Sequence, residues 1–137
     1  MKKLILLCAV VLGFVLNASA QTASNADIKF ASEKYDFGKI PQGKPVTTNF
    51  EFTNVGTEPL ILANVQPTCG CTIADYTKTP VKPGDKGNVK VTFNAAVVGT
   101  FTKTIVVTSN AKTPTKYLNF IGEVLAPSTQ GGTVGTK

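Results

Sequence analysis

The chain has 137 residues, a formal net charge of +6, eight scattered carboxylates, and neither histidine nor arginine. Without histidine the usual base of a nucleophilic serine or cysteine is missing, and single carboxylates do not form the facing pair of a glycosidase, so we predict that the protein is not an enzyme. Without arginine there is no bidentate group for phosphates or guanine edges, and the lysines are spread along the chain, so no nucleic-acid partner is expected.

Residues 1–20 have the organisation of a cleavable secretory signal. Two lysines form the basic start, an apolar stretch follows at 4–16, and an A-S-A cleavage site ends at Ala20. A spanning helix needs about 20 apolar residues, so this stretch is too short for a stable anchor. We predict export to the periplasm, the cell surface or the medium, with cleavage after Ala20 and no stable membrane insertion afterwards.

The remainder of the chain has the length of one domain with short flanking segments. Residues 21–27 are predicted to form a flexible leader, and residues 28–125 the folded domain. The segment 126–137 is small, polar and rich in glycine. It offers little to bury, so we predict a disordered tail.

Within the domain, apolar residues alternate with polar ones, as in strands with one buried and one solvated face. The alternation is clearest at 46–53 and 89–94, around Ile105 and Val107, and at 118–124. Further strands are predicted at 28–32, 60–65 and 72–76. Turn-forming residues separate these runs, and seven or eight short strands at this spacing predict an all-β, immunoglobulin-like β-sandwich of antiparallel strands. A small closed barrel is the alternative.

Asp36-Phe37-Gly38 has the letters of the magnesium-binding motif of protein kinases. The other kinase motifs are missing and the chain is too short for a kinase, so this interpretation is excluded. We predict instead that Phe37 packs inward and that Gly38 permits a bend or bulge where the strand changes sheet.

Cys69-Gly70-Cys71 contains the only cysteines left after the predicted signal is removed, because Cys8 lies within it. In an extended strand, positions i and i+2 lie about 6.6–6.8 Å apart, which is too far for a disulfide. Glycine permits a tight turn that would bring the sulfur atoms together. We therefore place the pair on a loop or bulge that leads into the strand predicted at 72–76.

Several kinds of chemistry fit this pair. Export favours a structural disulfide, although a bridge across one residue contributes only about 2 kcal/mol or less. A reducible pair on a loop suits thiol–disulfide exchange. Two thiolates also suit copper(I), whereas zinc needs further ligands, and no other cofactor is expected. Cys69, Gly70, Cys71 and Thr72 are equally candidates for a partner-facing site, and two half-buried thiols with a purely structural role remain an alternative.

Four motifs occur in a distinctive order along the chain: Y-D-F-G-K-I at 35–40, F-E-F-T-N at 50–54, P-T-C-G-C-T at 67–72 and P-G at 83–84. This order resembles an exported bacterial domain family of uncharacterised function. That family is similar to the Hydin-type (ASH), major-sperm-protein and PapD-like domains. The resemblance covers residues 28–125 and implies a sandwich of seven or eight strands in an exported protein. It implies no particular activity.

Two functions of different classes fit these features. The first is a non-enzymatic binding module of the bacterial cell envelope, which contacts an unidentified protein partner through an exposed edge strand or through the loops around 67–72. The second is a thiol-redox or copper(I)-binding protein that uses Cys69 and Cys71. A purely structural envelope component is a third possibility. Replacement of both cysteines by serine would abolish the second function and leave the first nearly intact.

Overall fold

The computed structural model describes residues 24–128, which form eight β-strands. The strands are β1 (Ile28–Phe30), β2 (Lys34–Pro41), β3 (Val46–Asn54), β4 (Leu62–Pro67), β5 (Thr72–Tyr76), β6 (Lys86–Phe93), β7 (Gly99–Ser109) and β8 (Thr115–Leu125). The predicted signal peptide, residues 21–23 of the predicted leader and residues 129–137 of the predicted tail lie outside the described residues. Residues 24–128 contain no helix, and hence none long and apolar enough to cross a membrane.

The strands form two four-stranded sheets, in the orders β1-β3-β6-β5 and β2-β8-β7-β4. The predicted all-β, immunoglobulin-like sandwich is therefore confirmed. One pair departs from the expected antiparallel pattern, since β2 pairs with β8 in parallel. The chain passes from one sheet to the other between β1 and β2, so no hairpin turn imposes an antiparallel direction on β2.

The core is built from inward-facing residues of both sheets. In β3, Phe50 and Phe52 are buried while Asn49 and Glu51 are exposed, which confirms the predicted alternation. β6 shows the same pattern from its middle to its end. The largest fully buried side chains are those of Phe52, Phe120, Leu60, Ile105 and Leu118.

The strand bounds differ from the prediction mainly where a residue leaves the sheet. The strand predicted at 60–65 begins at Leu62 and runs to Pro67, and Leu60 forms an isolated bridge with Val81 instead. β5 has the predicted bounds. Apolar content marks Leu60 as a core residue, but only the fold decides whether its backbone joins the sheet.

Residues 24–27 belong to the predicted flexible leader, and the structure holds them against the domain. Ala26 is fully buried, and its carbonyl accepts a hydrogen bond from the N–H of Lys112 at 3.0 Å. The N–H of Asn25 donates to the carboxylate of Glu58 at 2.8 Å. This part of the leader is therefore fixed, because Ala26 occupies a core position next to β1.

The Asp36-Phe37-Gly38 segment forms a bulge in β2, as predicted. The pairing register with β8 shifts between Asp36 and Lys39, and Gly38 has a φ of 66°. The carboxylate of Asp36 accepts a hydrogen bond from the N–H of Gly38 at 2.7 Å. Phe37 packs its edge against the ring of Phe120, with centroids 5.8 Å apart. β2 pairs with β8 on both sides of the bulge, so the predicted change of sheet at this point is wrong.

Candidate functional site

The Cys69-Gly70-Cys71 segment lies on the turn between β4 and β5, where the chain crosses from one sheet to the other. Its predicted position on a loop leading into the strand at 72–76 is confirmed. The N–H and the hydroxyl of Thr68 both donate to the carbonyl of Thr104 at 3.0 Å. The N–H of Asn94 donates to the carbonyl of Cys71 at 3.1 Å. The turn is thus fastened to β7 on one side and to the end of β6 on the other.

The sulfur atoms of Cys69 and Cys71 are bonded to each other, and their Cα atoms lie 5.4 Å apart. Gly70 is exposed, its φ is outside the left-handed region, and a Cβ placed on it would meet no atom within 4 Å apart from those of Cys69 and Cys71. The turn therefore does not require glycine for its backbone conformation, contrary to the sequence-based interpretation.

We expect Gly70→Ala to leave the free energy of unfolding within about 0.5 kcal/mol of the parent value, since the new methyl group meets open space. Gly87→Ala on β6 is the matched contrast, because its Cβ would overlap the buried ring of Phe52. Overpacking of this kind costs about 1–3 kcal/mol. Urea unfolding without reductant measures both. An equally large loss at Gly70 would show that the turn does need glycine.

The side chain of Thr72 lies beside the disulfide. It is buried, and its Oγ1 lies 3.5 Å from Cys69 Sγ and 3.9 Å from Cys71 Sγ. Among the described residues, the two sulfur atoms are the only hydrogen-bond partners of this hydroxyl. Valine would fill the same inward-facing space without a polar group to satisfy. The hydroxyl is therefore best explained by the sulfur atoms beside it.

A cleft of about 430 Å³ opens next to this turn, between it and the loop that joins β6 to β7. The rings of Phe93 and Phe101 contribute to its apolar lining, with centroids 4.3 Å apart. Val97 and Val98 also line it, and they are 78% and 46% exposed. Two adjacent exposed valines thus stand beside an aromatic lining, and exposed apolar surface at a concave site is a candidate for partner binding.

The loop that carries these valines is held in place by the turn between β2 and β3. The N–H of Gly43 donates to the carbonyl of Ala95, and the side-chain amide of Gln42 donates to the carbonyl of Ala96, both at 2.9 Å. Ala95 is fully buried. Val97 and Val98 are therefore exposed on a loop that hydrogen bonds hold against the domain.

Lys103 brings a positive charge to the cleft. Lys103 alternates in step with Phe101 and the buried Ile105 along β7, so it belongs to the inner face of the sheet. The pairing of β4 with β7 ends at Ile105, next to this position. None of the three ion pairs found among residues 24–128 includes Lys103. The cleft thus combines apolar rings, one sulfur-bearing residue and one ammonium group.

The sequence analysis did not single out Lys103, and Lys78 and Lys82 are nearer to the cysteines in sequence. Lys78 forms an ion pair with Asp75 at 3.7 Å, and its ammonium group lies 5.8 Å from the centroid of the Tyr76 ring, at the far end of β5. The available signal was a lysine at an inward position of an alternating run, with Phe101 two residues before it and Ile105 two residues after it.

The four edge strands differ in how well they are protected against pairing with another chain. β1 has three residues, β2 contains the bulge, and β4 has a register shift and ends at Pro67. β5 pairs regularly with β6 over all five of its residues and carries Ile73, which is 72% exposed. β5 is therefore the least protected edge, and it begins at the disulfide turn.

The structure brings together no ligand set for a metal ion within residues 24–128, where no three histidine, cysteine or acidic side chains are grouped. The two sulfur atoms are bonded to each other. A copper(I) site would need both as thiolates, so this alternative applies to the reduced pair and stays a prediction.

Comparison with protein families yields a match over residues 28–124 to the model described as "Protein of unknown function (DUF1573)". No protein with a curated description matches the sequence significantly.

Several solved structures share the fold. A protein of unknown function from Porphyromonas gingivalis W83 is 21% identical, with a TM-score of 0.67 over 79% of this chain and 51% of that one. The chain thus spans about half the length of that protein. The ASH / PapD-like domain 7 of human CEP192 is 13% identical, with a TM-score of 0.63 over 85% of this chain and 96% of that one. The YadV chaperone is 13% identical, with a TM-score of 0.54 over 72% of this chain and 52% of that one. These likenesses show the fold alone, and they confirm the predicted similarity to ASH and PapD-like domains.

Proposed function

Because this chain belongs to the DUF1573 family of proteins of unknown function, we propose its function from its surface: it is a non-enzymatic binding module of the cell envelope that holds a partner protein at the cleft. The observation that carries this proposal is the exposure of Val97, at 78%, on an anchored loop beside the apolar lining of the cleft. Exposed apolar side chains next to a concave surface are removed from water when a partner binds, which supplies most of the binding free energy.

The partner contributes an extended segment. β5 is an edge strand that begins at the disulfide turn, and Gly70 and Cys71 of that turn line the cleft. Such a segment can add to β5 as a further strand, continue past the turn, and place one apolar side chain in the cleft with Phe93, Phe101 and Val97. Lys103 at the cleft favours a segment with an acidic group close to that side chain, as does the excess of 12 lysines over 8 acidic residues in the chain after Ala20.

A non-enzymatic role is supported by the placement of the carboxylates. Glu33, Glu51 and Asp75 form surface ion pairs with lysines, and all three are exposed. Such pairs are common on solvated sheet faces, and they engage these carboxylates with lysines. Action in the cell envelope is supported by the predicted signal and by the Cys69–Cys71 bond, since disulfides persist in oxidising compartments.

A photo-crosslinking amino acid at position 97 tests the proposal in cells that export the full chain. We expect one discrete adduct with another protein on irradiation. The matched control is the same amino acid at Val55, which is 52% exposed in the segment between β3 and β4. Val97→Asp, in a chain with the crosslinker at Ile73, should abolish the adduct, whereas Val55→Asp should not. Equal labelling from positions 97 and 55, or none from either, would contradict the proposal.

A second function, thiol-based redox chemistry, is favoured by one specific observation: Cys71 lines the cleft. A bound partner would therefore lie beside one of the two disulfide residues. The double variant C69S/C71S separates the two functions, because it abolishes thiol chemistry and leaves the apolar contacts of Val97 in place.

A further inference from the structure

We propose that the disulfide captures a thiol of the bound segment, with Cys71 as the sulfur that is attacked and Cys69 as the sulfur that leaves. This inference rests on the proposed binding function, and it names the chemical class of the partner as an extended protein segment that carries a cysteine. The juxtaposition that points to it is the cleft, Cys71, the buried hydroxyl of Thr72 and the ammonium group of Lys103.

A purely structural role explains this disulfide poorly. It closes a loop across a single residue, and so short a loop restricts the unfolded chain very little. Both flanks of the turn are already fastened, by the hydrogen bonds of Thr68 to Thr104 and of Asn94 to Cys71. The bond therefore adds little that these contacts do not already supply.

The direction of attack follows from which cysteine meets the cleft. Gly70 and Cys71 line it, and Cys69 does not. Gly70 is exposed and carries no side chain. A thiolate that enters with the bound segment therefore reaches Cys71 first, and Lys103 attracts its negative charge.

The leaving group follows from Thr72. Its hydroxyl lies 3.5 Å from Cys69 Sγ, closer than the 3.9 Å to Cys71 Sγ. When the S–S bond breaks, this hydroxyl donates a hydrogen bond to the new thiolate of Cys69, and hydrogen bonds to charged acceptors are stronger than those to neutral ones. A buried threonine beside the departing sulfur thus stabilises one of the two possible products.

The exchange is balanced without any other reactant. The partner thiolate forms a bond to Cys71 Sγ, the Cys69–Cys71 bond breaks, and its electron pair stays on Cys69 as a thiolate. One disulfide is lost and one is gained, so there is no net oxidation. Attack by Cys69 on the mixed disulfide reverses the step and releases the partner as a thiolate.

The test uses the full exported protein, purified without reductant, with glutathione as the probe thiol. After brief reaction, N-ethylmaleimide caps the released thiolate, and tandem mass spectrometry locates the two adducts. We expect glutathione on Cys71 and maleimide on Cys69. The reverse arrangement, an equal mixture, or two free thiols before any glutathione is added would overturn the proposal.

Two variants test the roles of the neighbouring groups. Thr72→Val keeps the buried volume and should slow exchange by about 2- to 10-fold, the effect of losing one hydrogen bond. Lys103→Met should slow reaction with both mercaptoethanol and mercaptoethanesulfonate, because both attack as thiolates, and the effect should be larger for mercaptoethanesulfonate, which carries a second negative charge. Thr68→Val is the control: it alters the same turn but keeps the Thr72 hydroxyl beside the disulfide. Unchanged rates in both Thr72→Val and Lys103→Met would also overturn the proposed mechanism.

Failure of this inference and failure of the proposed function are distinguishable. The crosslink from position 97 should persist in the C69S/C71S background, because it depends on non-covalent contacts that these substitutions leave in place. A persistent crosslink together with the wrong adduct pattern would contradict the proposed exchange chemistry and agree with the proposed binding function. The expected adduct pattern without any crosslink would contradict the proposed binding function, and no bound segment would then supply the partner thiol.

Discussion

Phe120→Ala should destabilise the domain by about 3–5 kcal/mol, the range for truncation of a fully buried phenylalanine. The ring of Phe120 has 0% exposure and contacts three other rings, with centroid distances of 5.8 Å to Phe37, 5.7 Å to Phe93 and 6.0 Å to Phe101. Phe93 belongs to one sheet and the other rings to the second. Truncation therefore leaves a cavity at the point where the two sheets meet.

Chemical unfolding of the full exported chain measures this loss. Tyr117→Ala on the same strand is the control, because Tyr117 is 58% exposed and its loss should change the free energy of unfolding by less than about 1 kcal/mol. A Phe120→Ala loss as small as the control would show that the rings repack without a cavity. Because Phe93 and Phe101 line the cleft, we also expect weaker crosslinking from position 97 in Phe120→Ala while the domain is still folded.

Asn54→Ala should cost about 2–4 kcal/mol, because it removes a buried side chain with its hydrogen bonds and leaves the carbonyl of Glu58 and the N–H of Gly56 without their partner. Asn54 has 0% exposure. Its side-chain amide donates to the carbonyls of Glu58 at 2.7 Å and Val81 at 2.9 Å, and its carbonyl oxygen accepts from the N–H of Gly56 at 2.9 Å. The side chain of Asn54 thus connects the segment after β3 to Val81, which forms the isolated bridge with Leu60.

The matched control is Asn49→Ala, on the exposed face of the same strand. Among the described residues, the Asn49 side chain forms no hydrogen bond, so we expect a change below about 0.5 kcal/mol. Thermal unfolding of the two variants side by side compares them directly. Equal midpoints would contradict the assigned role of Asn54.

The sequence predicts the sandwich well because its signal is local. Alternation of apolar and polar residues with period two decides which face of a strand is buried, whatever strand lies beside it. The pattern at 46–53 is therefore correct residue by residue in β3. Bulge chemistry is local too, and Gly38 was recognised for that reason. Pairing partners are not local, so the parallel contact between β2 and β8 left no sign in the sequence.

The candidate site was only partly predictable. Cys69, Gly70, Cys71 and Thr72 are adjacent in sequence, so their grouping is visible at once, and the turn geometry follows from the length of an extended strand. The role assigned to Gly70 was wrong, because its backbone conformation is one that other residues adopt. The apolar half of the cleft comes from the loop between β6 and β7, and no local pattern relates that loop to the cysteines.

By itself, the sequence determined the all-β class, the faces of the strands and the segment that carries the disulfide, because each of these depends on residues within a few positions of one another. Only the tertiary structure decided that β4 and β5 lie in different sheets, that the turn between them stands beside Val97 and Lys103, and that Cys71 rather than Cys69 meets the resulting cleft. The physical reason is that strand order and loop proximity are set by how two sheets pack over one core. That packing is a property of the whole chain.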